Sequence, residues 1–147
     1  MRGSERFTQR ASTAITKAHD AALGMGHSYV GTEHLLLGII REGEGLGARI
    51  LTDNALTDAV LTRMVTETVG RGVPGAPEQG LSPRARHVIE LAAEDANRLG
   101  HCYVGTEHIL MRILRETDNA GSRIIVAPRH KQNNKKTKKK KNIRHQN

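Results

Sequence analysis

The chain has 147 residues, a formal net charge of +8, 37% hydrophobic residues and only 2% aromatic residues. A core built almost entirely from aliphatic side chains favours packed helices over a β-sandwich, because strands prefer β-branched and aromatic residues. No apolar run approaches the roughly 18 residues that a membrane span requires, so we predict an all-α fold without membrane segments.

The first helix is predicted to begin directly after Thr8, which is a suitable N-cap. Apolar side chains then recur at helical spacing, at Ala11, Ile15, Ala18 and Ala22. Gly26 follows, and glycine tolerates the left-handed conformation in which many helices end. We therefore expect an amphipathic helix that stops just before Gly26.

The octapeptide HSYVGTEH, residues 27–34, precedes the second predicted helix. The apolar face of that helix consists of Leu35, Leu36, Ile39 and Ile40. The sequence REGEG then interrupts the pattern, and a short third helix is expected near residues 46–51. A fourth helix is predicted from Thr57 to about residue 69, where the apolar side chains again fall on one side.

Residues 70–80, GRGVPGAPEQG, have the composition of a linker. After them the chain repeats itself: residues 8–51 and 82–125 align at an offset of 74 without gaps, and 20 of 44 positions are identical. Ser82 and Pro83 form a strong helix start, and the octapeptide returns as HCYVGTEH. An internal duplication of this kind indicates a repeat architecture.

The carboxy-terminal segment departs from the repeat. A fourth helix should occupy about residues 131–143, but the sequence there, KQNNKKTKKKKN, has no apolar face. Nine of the 23 basic residues lie from residue 129 onward, which leaves the rest with 14 basic and 15 acidic residues. A segment this polar cannot bury a face, so we predict that repeat two lacks its last helix.

The predicted architecture is therefore an all-α body at residues 5–128, made of two tandem four-helix repeats with pseudo-twofold symmetry. Repeat one spans residues 5–69, the linker residues 70–80 and repeat two residues 81–128. A disordered basic tail follows at residues 129–147.

The Gly-Thr-Glu-His that closes each octapeptide is the main candidate site. Thr32 and Thr106 are predicted N-caps, whose hydroxyls accept a backbone N–H two or three residues further on. Glu33 and Glu107 then lie in the first turn, where the helix dipole stabilises a carboxylate. These residues either serve only to start helices or form two mixed-charge pockets, in which a helix end attracts an anion and a glutamate attracts a cation. Phosphoarginine carries a phosphoryl group on a guanidinium and has this pattern, but the residues alone do not select it.

The remaining octapeptide residues allow simpler interpretations. Tyr29 and Tyr103 are predicted to be packing residues. The histidines are expected to bond neighbouring backbone or to bridge the two halves: His27, His34, His101 and His108.

No metal, cofactor or catalytic group is expected. His27 and His34 are seven residues apart, and no HExxH motif is present. The chain has no Walker loop and no GxSxG elbow, and its single cysteine, Cys102, is replaced by Ser28 in the first copy. One cysteine cannot form an internal disulfide, which fits the reducing cytoplasm.

Three segments together carry a family resemblance. ERFTQRA, GHSYVGTEHLLLGIIREGEGLGARIL and LSPRARHVIELAAEDANRLGHCYVGTEHIL closely resemble the amino-terminal repeat domain of Clp-type AAA+ unfoldases, the ClpC branch in particular. The resemblance covers roughly residues 5–125. It implies an all-α, pseudo-twofold domain that recruits substrate and adaptor proteins for an ATPase ring and its partner peptidase.

The resemblance also implies a ligand. In Gram-positive ClpC-like proteins this domain binds phosphoarginine-marked substrates through the glutamate of each GTEH, which here is Glu33 or Glu107. Thr32 and Thr106 are expected to line the same pockets. Because the chain carries no ATPase or peptidase motif, we expect an accessory module that is not itself an enzyme.

Two alternatives remain at this point. The chain could be a stand-alone regulatory protein that competes with a full-length unfoldase for adaptors. The basic tail could also bind nucleic acid non-specifically, with a strong dependence on salt. The body offers no aromatic stacking platform and no basic helix face, so nucleic acid is not the expected partner.

Overall fold

The computed structural model describes residues 6–116 and 119–125. Helices dominate this part of the chain, and the all-α prediction is confirmed. The helices are α1 Gln9–Gly24, α2 Thr32–Glu42, α3 Leu46–Asp53, α4 Asp58–Val69, α5 Pro83–Arg98 and α6 Thr106–Arg115, followed by a helical segment, α7, at residues 120–125. Repeat one contains α1–α4 and repeat two contains α5–α7. The predicted loss of a fourth helix from repeat two and the predicted disordered tail both lie outside the described residues.

The first helix of each repeat starts and ends as its sequence predicts. Thr8 Oγ1 and Ser82 Oγ each accept the backbone N–H three residues further on, at 3.0 and 3.1 Å. Just past the carboxy-terminal ends of these helices, Gly26 and Gly100 have φ angles of 72° and 77°, which residues with a Cβ rarely adopt. Both helices are therefore delimited by local chemistry within a few residues of their termini.

The core is aliphatic, and helices pack unusually closely in repeat one. A Cβ added at Gly38 of α2 would lie 2.0 Å from the carbonyl oxygen of Ala14 in α1, so a larger residue there would push the two helices apart. The largest fully buried side chains come from both repeats and are Leu35, Leu36, Leu37, Ile39, Leu51, Leu61, Ile109, Leu110, Ile113, Ile124, His34 and Val30.

The contact between the first and second helices is different in repeat two. Arg112 stands where repeat one has Gly38, and its NH1 lies 3.5 Å from Asp95 Oδ2 on α5. Asp95 also accepts a hydrogen bond from Arg98 at 2.6 Å and lies 3.9 Å from Arg115. An ion-pair cluster in repeat two therefore takes the place of the backbone contact in repeat one.

The segment that enters each repeat pairs with the octapeptide of the other repeat. Phe7 forms an isolated parallel bridge with Val104, and Leu81 forms the equivalent bridge with Val30. The N-cap residue of α1 and that of α5 each donate a backbone N–H to the carbonyl of the bridged valine, at 2.9 Å in both cases. The two octapeptides therefore lie at the interface between the repeats.

The predicted linker at residues 70–80 contains no helix, but it is fastened to the body. The backbone N–H of Gln79 donates to the Ser28 carbonyl at 2.6 Å, and that of Gly72 donates to the Met25 carbonyl at 2.9 Å. The linker therefore runs along the octapeptide of repeat one.

Candidate functional site

The two Gly-Thr-Glu-His segments begin α2 and α6, one residue earlier than predicted. Gly31 and Gly105 are the N-caps, with extended backbone at φ −94° and −97°. Thr32 and Thr106 occupy the first helical position and cap neither of these helices. The prediction that each threonine is the N-cap of its own helix is therefore wrong.

A histidine provides a local side-chain bond at the start of each of these helices. Gly31 N–H donates to His34 Nδ1 at 2.8 Å, and Gly105 N–H donates to His108 Nδ1 at 2.9 Å. A side chain at the third helical position thus satisfies the N-cap N–H, as glutamate or glutamine does in a capping box. The threonine hydroxyls take no part in this local capping.

Each threonine instead caps the third helix of the other repeat. Thr32 Oγ1 accepts the Gly121 N–H at 2.8 Å, and Thr106 Oγ1 accepts the Gly47 N–H at 2.9 Å. Both threonines are buried, with 2% and 1% of their surface exposed, so these are bonds across a dry interface. The exchange is reciprocal and follows the pseudo-twofold relation, since residues 47 and 121 are 74 apart.

Both glutamate side chains fold back over the N-cap glycine. A Cβ added at Gly31 would lie 2.0 Å from Glu33 Oε1, and a Cβ added at Gly105 would lie 2.1 Å from Glu107 Oε1. The extended backbone at these glycines is open to any residue type. A side chain at either position would instead have to displace the carboxylate from its place over the backbone.

Burial raises the pKa of Glu33 above its usual range. The hydrogen bond from its own backbone N–H, the positive charge that His27 carries when protonated and the charge of Arg123 act in the opposite direction without cancelling this effect. A desolvated carboxylate gains more from a nearby cation than an exposed one does. Glu33 is therefore suited to accept a cationic group.

Glu33 lines a cavity of about 280 Å³ to which both repeats contribute. Repeat one supplies the octapeptide, whereas repeat two supplies the N-termini of α5 and α7. The lining residues are Tyr29, Gly31, Thr32, Glu33, Ser82, Arg84, Asn119, Ala120 and Arg123. One glutamate and two arginines are thus among the residues that line the cavity.

The repeat offset predicts a second set of residues for Glu107. At the offset of 74, Arg10 and Arg49 correspond to the two arginines that line the cavity beside Glu33. The rims differ, because Leu46, 52% exposed, replaces Ala120. For a second site beside Glu107, the sequence therefore predicts the same charges but a more apolar edge.

The structure brings Thr32 and Glu33 into one cavity, and sequence reasoning missed their two arginine neighbours. Arg84 and Arg123 are supplied by the other repeat, so nothing in the local sequence around the octapeptide indicates them. A usable signal exists, because both arginines belong to the 20 positions that the two copies share.

The tyrosines are not packing residues, and that prediction is wrong. Tyr29 is 49% exposed and Tyr103 is 58% exposed. The Tyr29 hydroxyl donates to Gln79 Oε1 at 3.0 Å, which holds the ring at the mouth of the cavity.

His34 and His108 bond neighbouring backbone, as predicted, and each also bonds the other histidine of its octapeptide. His27 Nδ1 lies 2.7 Å from His34 Nε2, and His101 Nδ1 lies 2.8 Å from His108 Nε2. Each pair therefore forms within its own repeat, and neither pair bridges the two repeats.

Other chemistries find little support in residues 6–116 and 119–125. No group of three or more His, Cys, Asp or Glu side chains in these ranges is placed to hold a metal ion. Cys102 is exposed and does not line the cavity beside Glu33. None of the helices described here combines the length and apolar character needed to cross a membrane.

Comparison with known sequences gives two informative relatives. The chain is 42% identical over 120 residues to the negative regulator of genetic competence ClpC/MecB of Bacillus subtilis (strain 168). It is 38% identical over 120 residues to the ATP-dependent Clp protease ATP-binding subunit ClpC of Staphylococcus saprophyticus. Each alignment covers 82% of this chain and 15% of the relative, so the chain spans a small part of these proteins.

Comparison with solved structures agrees. The N-terminal domain of the caseinolytic protease associated chaperone ClpD from Arabidopsis thaliana matches with a TM-score of 0.65 and 26% identity, over 82% of this chain and 85% of that one. The N-terminal domain of the ClpV1 ATPase from E. coli matches with a TM-score of 0.63 over 76% of this chain and 69% of that one; at 15% identity this is a likeness of fold alone. The family model of the Clp repeat (R) N-terminal domain matches residues 6–127. The resemblance inferred from the sequence is confirmed, and the chain belongs to the Clp repeat N-terminal domain family.

Proposed function

We propose that this domain recruits substrate proteins and adaptor proteins to a cytoplasmic Clp unfoldase and peptidase, and that it recognises proteins marked with phosphoarginine. The observation that carries the proposal is the cavity beside Glu33, where a buried carboxylate shares a lining with two arginines. In this role the domain binds and presents proteins, and ATP hydrolysis belongs to a separate ATPase module.

The glutamates supply the half of the site that binds the guanidinium. A carboxylate can accept two parallel N–H bonds from a guanidinium group, which gives both geometry and energy. Because burial raises the pKa of Glu33, a guanidinium beside it relieves part of the desolvation penalty of the charged carboxylate. Glu107 takes the same role in the second site.

The arginines supply the half that binds the phosphoryl group. The Glu33 carboxylate bonds its own backbone N–H, so it occupies part of the anion-binding end of α2. We therefore assign the phosphoryl oxygens to the guanidinium groups of Arg84 and Arg123, which can contact phosphate bidentately. A ligand that carries both charges then spans the interface between the repeats.

Titration calorimetry with free phosphoarginine tests the proposal. Glu33→Gln keeps the shape of the side chain and removes its charge, and should weaken site one by about 10- to 100-fold, the cost of a lost charged hydrogen bond. Glu107→Gln should do the same at site two, and the double variant should not bind measurably. Glu67→Gln, at an exposed position of α4, is the matched control and should bind as the wild type does.

Two comparison ligands separate specific recognition from simple charge attraction. Arginine lacks the phosphoryl group and inorganic phosphate lacks the guanidinium, so each should bind far more weakly than phosphoarginine. The proposal is wrong if the double glutamine variant binds phosphoarginine as tightly as the wild type, or if arginine alone binds equally well.

A further inference from the structure

The two histidines of repeat one form a hydrogen-bond chain whose direction is fixed at both ends. At one end, Gly31 N–H donates to His34 Nδ1 at 2.8 Å. His34 Nε2 then lies 2.7 Å from His27 Nδ1. At the other end, His27 Nε2 lies 2.8 Å from the Gly70 carbonyl oxygen. This series of hydrogen bonds therefore runs from a backbone N–H, which can only donate, to a backbone carbonyl, which can only accept.

A single arrangement of protons satisfies this chain. A neutral imidazole has one donor and one acceptor nitrogen. Since His34 Nδ1 must accept, its proton is on Nε2 and points to His27. Since His27 Nδ1 must accept in turn, its proton is also on Nε2 and points to Gly70. Both rings are neutral and share the same tautomer.

An additional proton has no place in this arrangement. On His34 Nδ1 it would face the Gly31 N–H, and on His27 Nδ1 it would face the His34 Nε2–H. Either position sets two donors against each other at less than 3 Å. Protonating one histidine therefore requires that at least one bond of the chain be broken.

Repeat two contains the same chain from its N–H end. Gly105 N–H donates to His108 Nδ1 at 2.9 Å, and His108 Nε2 lies 2.8 Å from His101 Nδ1. Because the Gly105 N–H can only donate, His108 must carry its proton on Nε2, and His101 Nδ1 must accept that proton in a hydrogen bond. The device is therefore present beside both glutamates.

The surroundings of the first chain offer little to stabilise an added charge. His34 is 2% exposed, and burial, followed by repulsion from His27, lowers the pKa of His34 to about 4. Within the described residues, the ion-pair contact of this histidine pair is with Glu33, whose Oε1 lies 4.0 Å from His34 Nδ1. Arg123 faces that carboxylate and competes for it. The end of α4 contributes the Gly70 carbonyl, so its contact with the chain is uncharged.

We propose that the histidine pair in each octapeptide is a positioning device for the neighbouring glutamate, and that it works only while both imidazoles are neutral. His34 Nδ1 accepts a hydrogen bond from the N–H of Gly31, and the Glu33 carboxylate lies over this same glycine. When the chain breaks, the N-cap is released and the first turn of α2 no longer holds the carboxylate in the cavity. The consequence for binding rests on the proposed phosphoarginine function, whereas the proton arrangement does not.

Two substitutions of His34 separate positioning from mere packing. Glutamine at the third helical position can reach back to the N-cap N–H and still donate to a neighbour, so His34→Gln should keep phosphoarginine affinity near the wild-type value. His34→Leu fills the buried space without either bond, and should weaken site one by about tenfold, the equivalent of one hydrogen bond. His87→Leu, at an exposed position of α5, is the control and should change nothing. Equal affinities for the Gln and Leu variants would overturn the proposal.

Nitrogen NMR of the unliganded wild-type protein tests the proton arrangement without phosphoarginine, and His34→Gln serves as its control. At neutral pH the ring nitrogens of His34 and His108 should show the Nε2–H tautomer. On titration from about pH 8 to about pH 4, the Gly31 amide should lose its protection from exchange together with protonation of the pair, and should keep it in His34→Gln. A His34 that titrates while the Gly31 amide stays protected contradicts the proposal. Failure of the wild type to bind phosphoarginine refutes the proposed function instead and leaves the NMR result to decide the proton arrangement.

Discussion

The reciprocal threonine bonds make a prediction that is specific to this architecture. Thr32→Val and Thr106→Val each replace a hydroxyl by a methyl group of nearly the same volume. The first leaves the Gly121 N–H without its acceptor and the second does the same to the Gly47 N–H. In each case the substitution lies in one repeat and the damaged helix lies in the other.

The magnitude follows from burial. An N–H group left unsatisfied in a buried site costs about 1–3 kcal/mol, and the loss of a capping side chain costs about 1 kcal/mol in typical cases. Both threonines are almost fully buried, so water cannot replace the lost acceptor. We expect each variant to lower the free energy of unfolding by about 2 kcal/mol, or Tm by about 4–8 °C for a chain of this size.

Hydrogen exchange combined with chemical denaturation measures both the cost and its location. Thr32→Val should deprotect the Gly121 amide, and Thr106→Val should deprotect the Gly47 amide. Serine in place of either threonine keeps the hydroxyl and should restore most of the stability. Thr16→Val is the matched control, since the Thr16 hydroxyl is exposed and donates to Ser12 in its own helix. If the buried variants are no less stable than Thr16→Val, or if the deprotected amide lies in the substituted repeat, the reasoning fails.

Three further predictions follow from single contacts. Gly38→Ala should destabilise the fold by about 1–3 kcal/mol, because the added Cβ would lie 2.0 Å from the Ala14 carbonyl oxygen. Gly24→Ala should instead stabilise α1 by up to about 1 kcal/mol, because a Cβ there has nothing within 4 Å. Urea denaturation measures the free energy of unfolding of both variants. Gly31→Ala should displace the Glu33 carboxylate and weaken phosphoarginine binding in calorimetry while the far-ultraviolet circular dichroism stays unchanged. Because the pKa of His34 is lowered to about 4 from 6.5, its contribution to stability is complete above about pH 6.5 and is lost as the pH falls towards 4. Unfolding free energies measured across this range should fall more steeply with acid in the wild type than in His34→Gln.

Helix boundaries that depend on neighbouring residues were predictable from the sequence. Thr8, Thr57 and Ser82 each cap the helix that follows, and each accepts an N–H three residues further on. Thr32 has the same residue type and the same position before an apolar face, yet its partner is 89 residues away. Local capping preference cannot distinguish these cases, because the partner of the Thr32 hydroxyl belongs to the other repeat and is distant in the sequence.

The candidate site was predictable only in its local half. The duplication of Gly-Thr-Glu-His singled out Glu33 and Glu107, because neither capping nor the helix dipole requires a glutamate twice at the same place. Arg84 and Arg123 reach the cavity through the pairing of repeats, which the sequence does not state. Identity between the two copies at exposed positions would have indicated them, since packing does not constrain an exposed arginine.

The proposed function also explains why the octapeptide occurs twice. If the cavity beside Glu33 is a binding site, a twofold relation between the repeats predicts a counterpart beside Glu107 with the roles of the helices exchanged. Each proposed site draws on both repeats, so we expect that neither forms from one repeat alone. The rims of the two sites need not be identical, since Leu46 of repeat one corresponds to Ala120 of repeat two. A single repeat expressed alone should consequently bind no phosphoarginine even where it folds, because its glutamate would lack the arginines that the other repeat supplies.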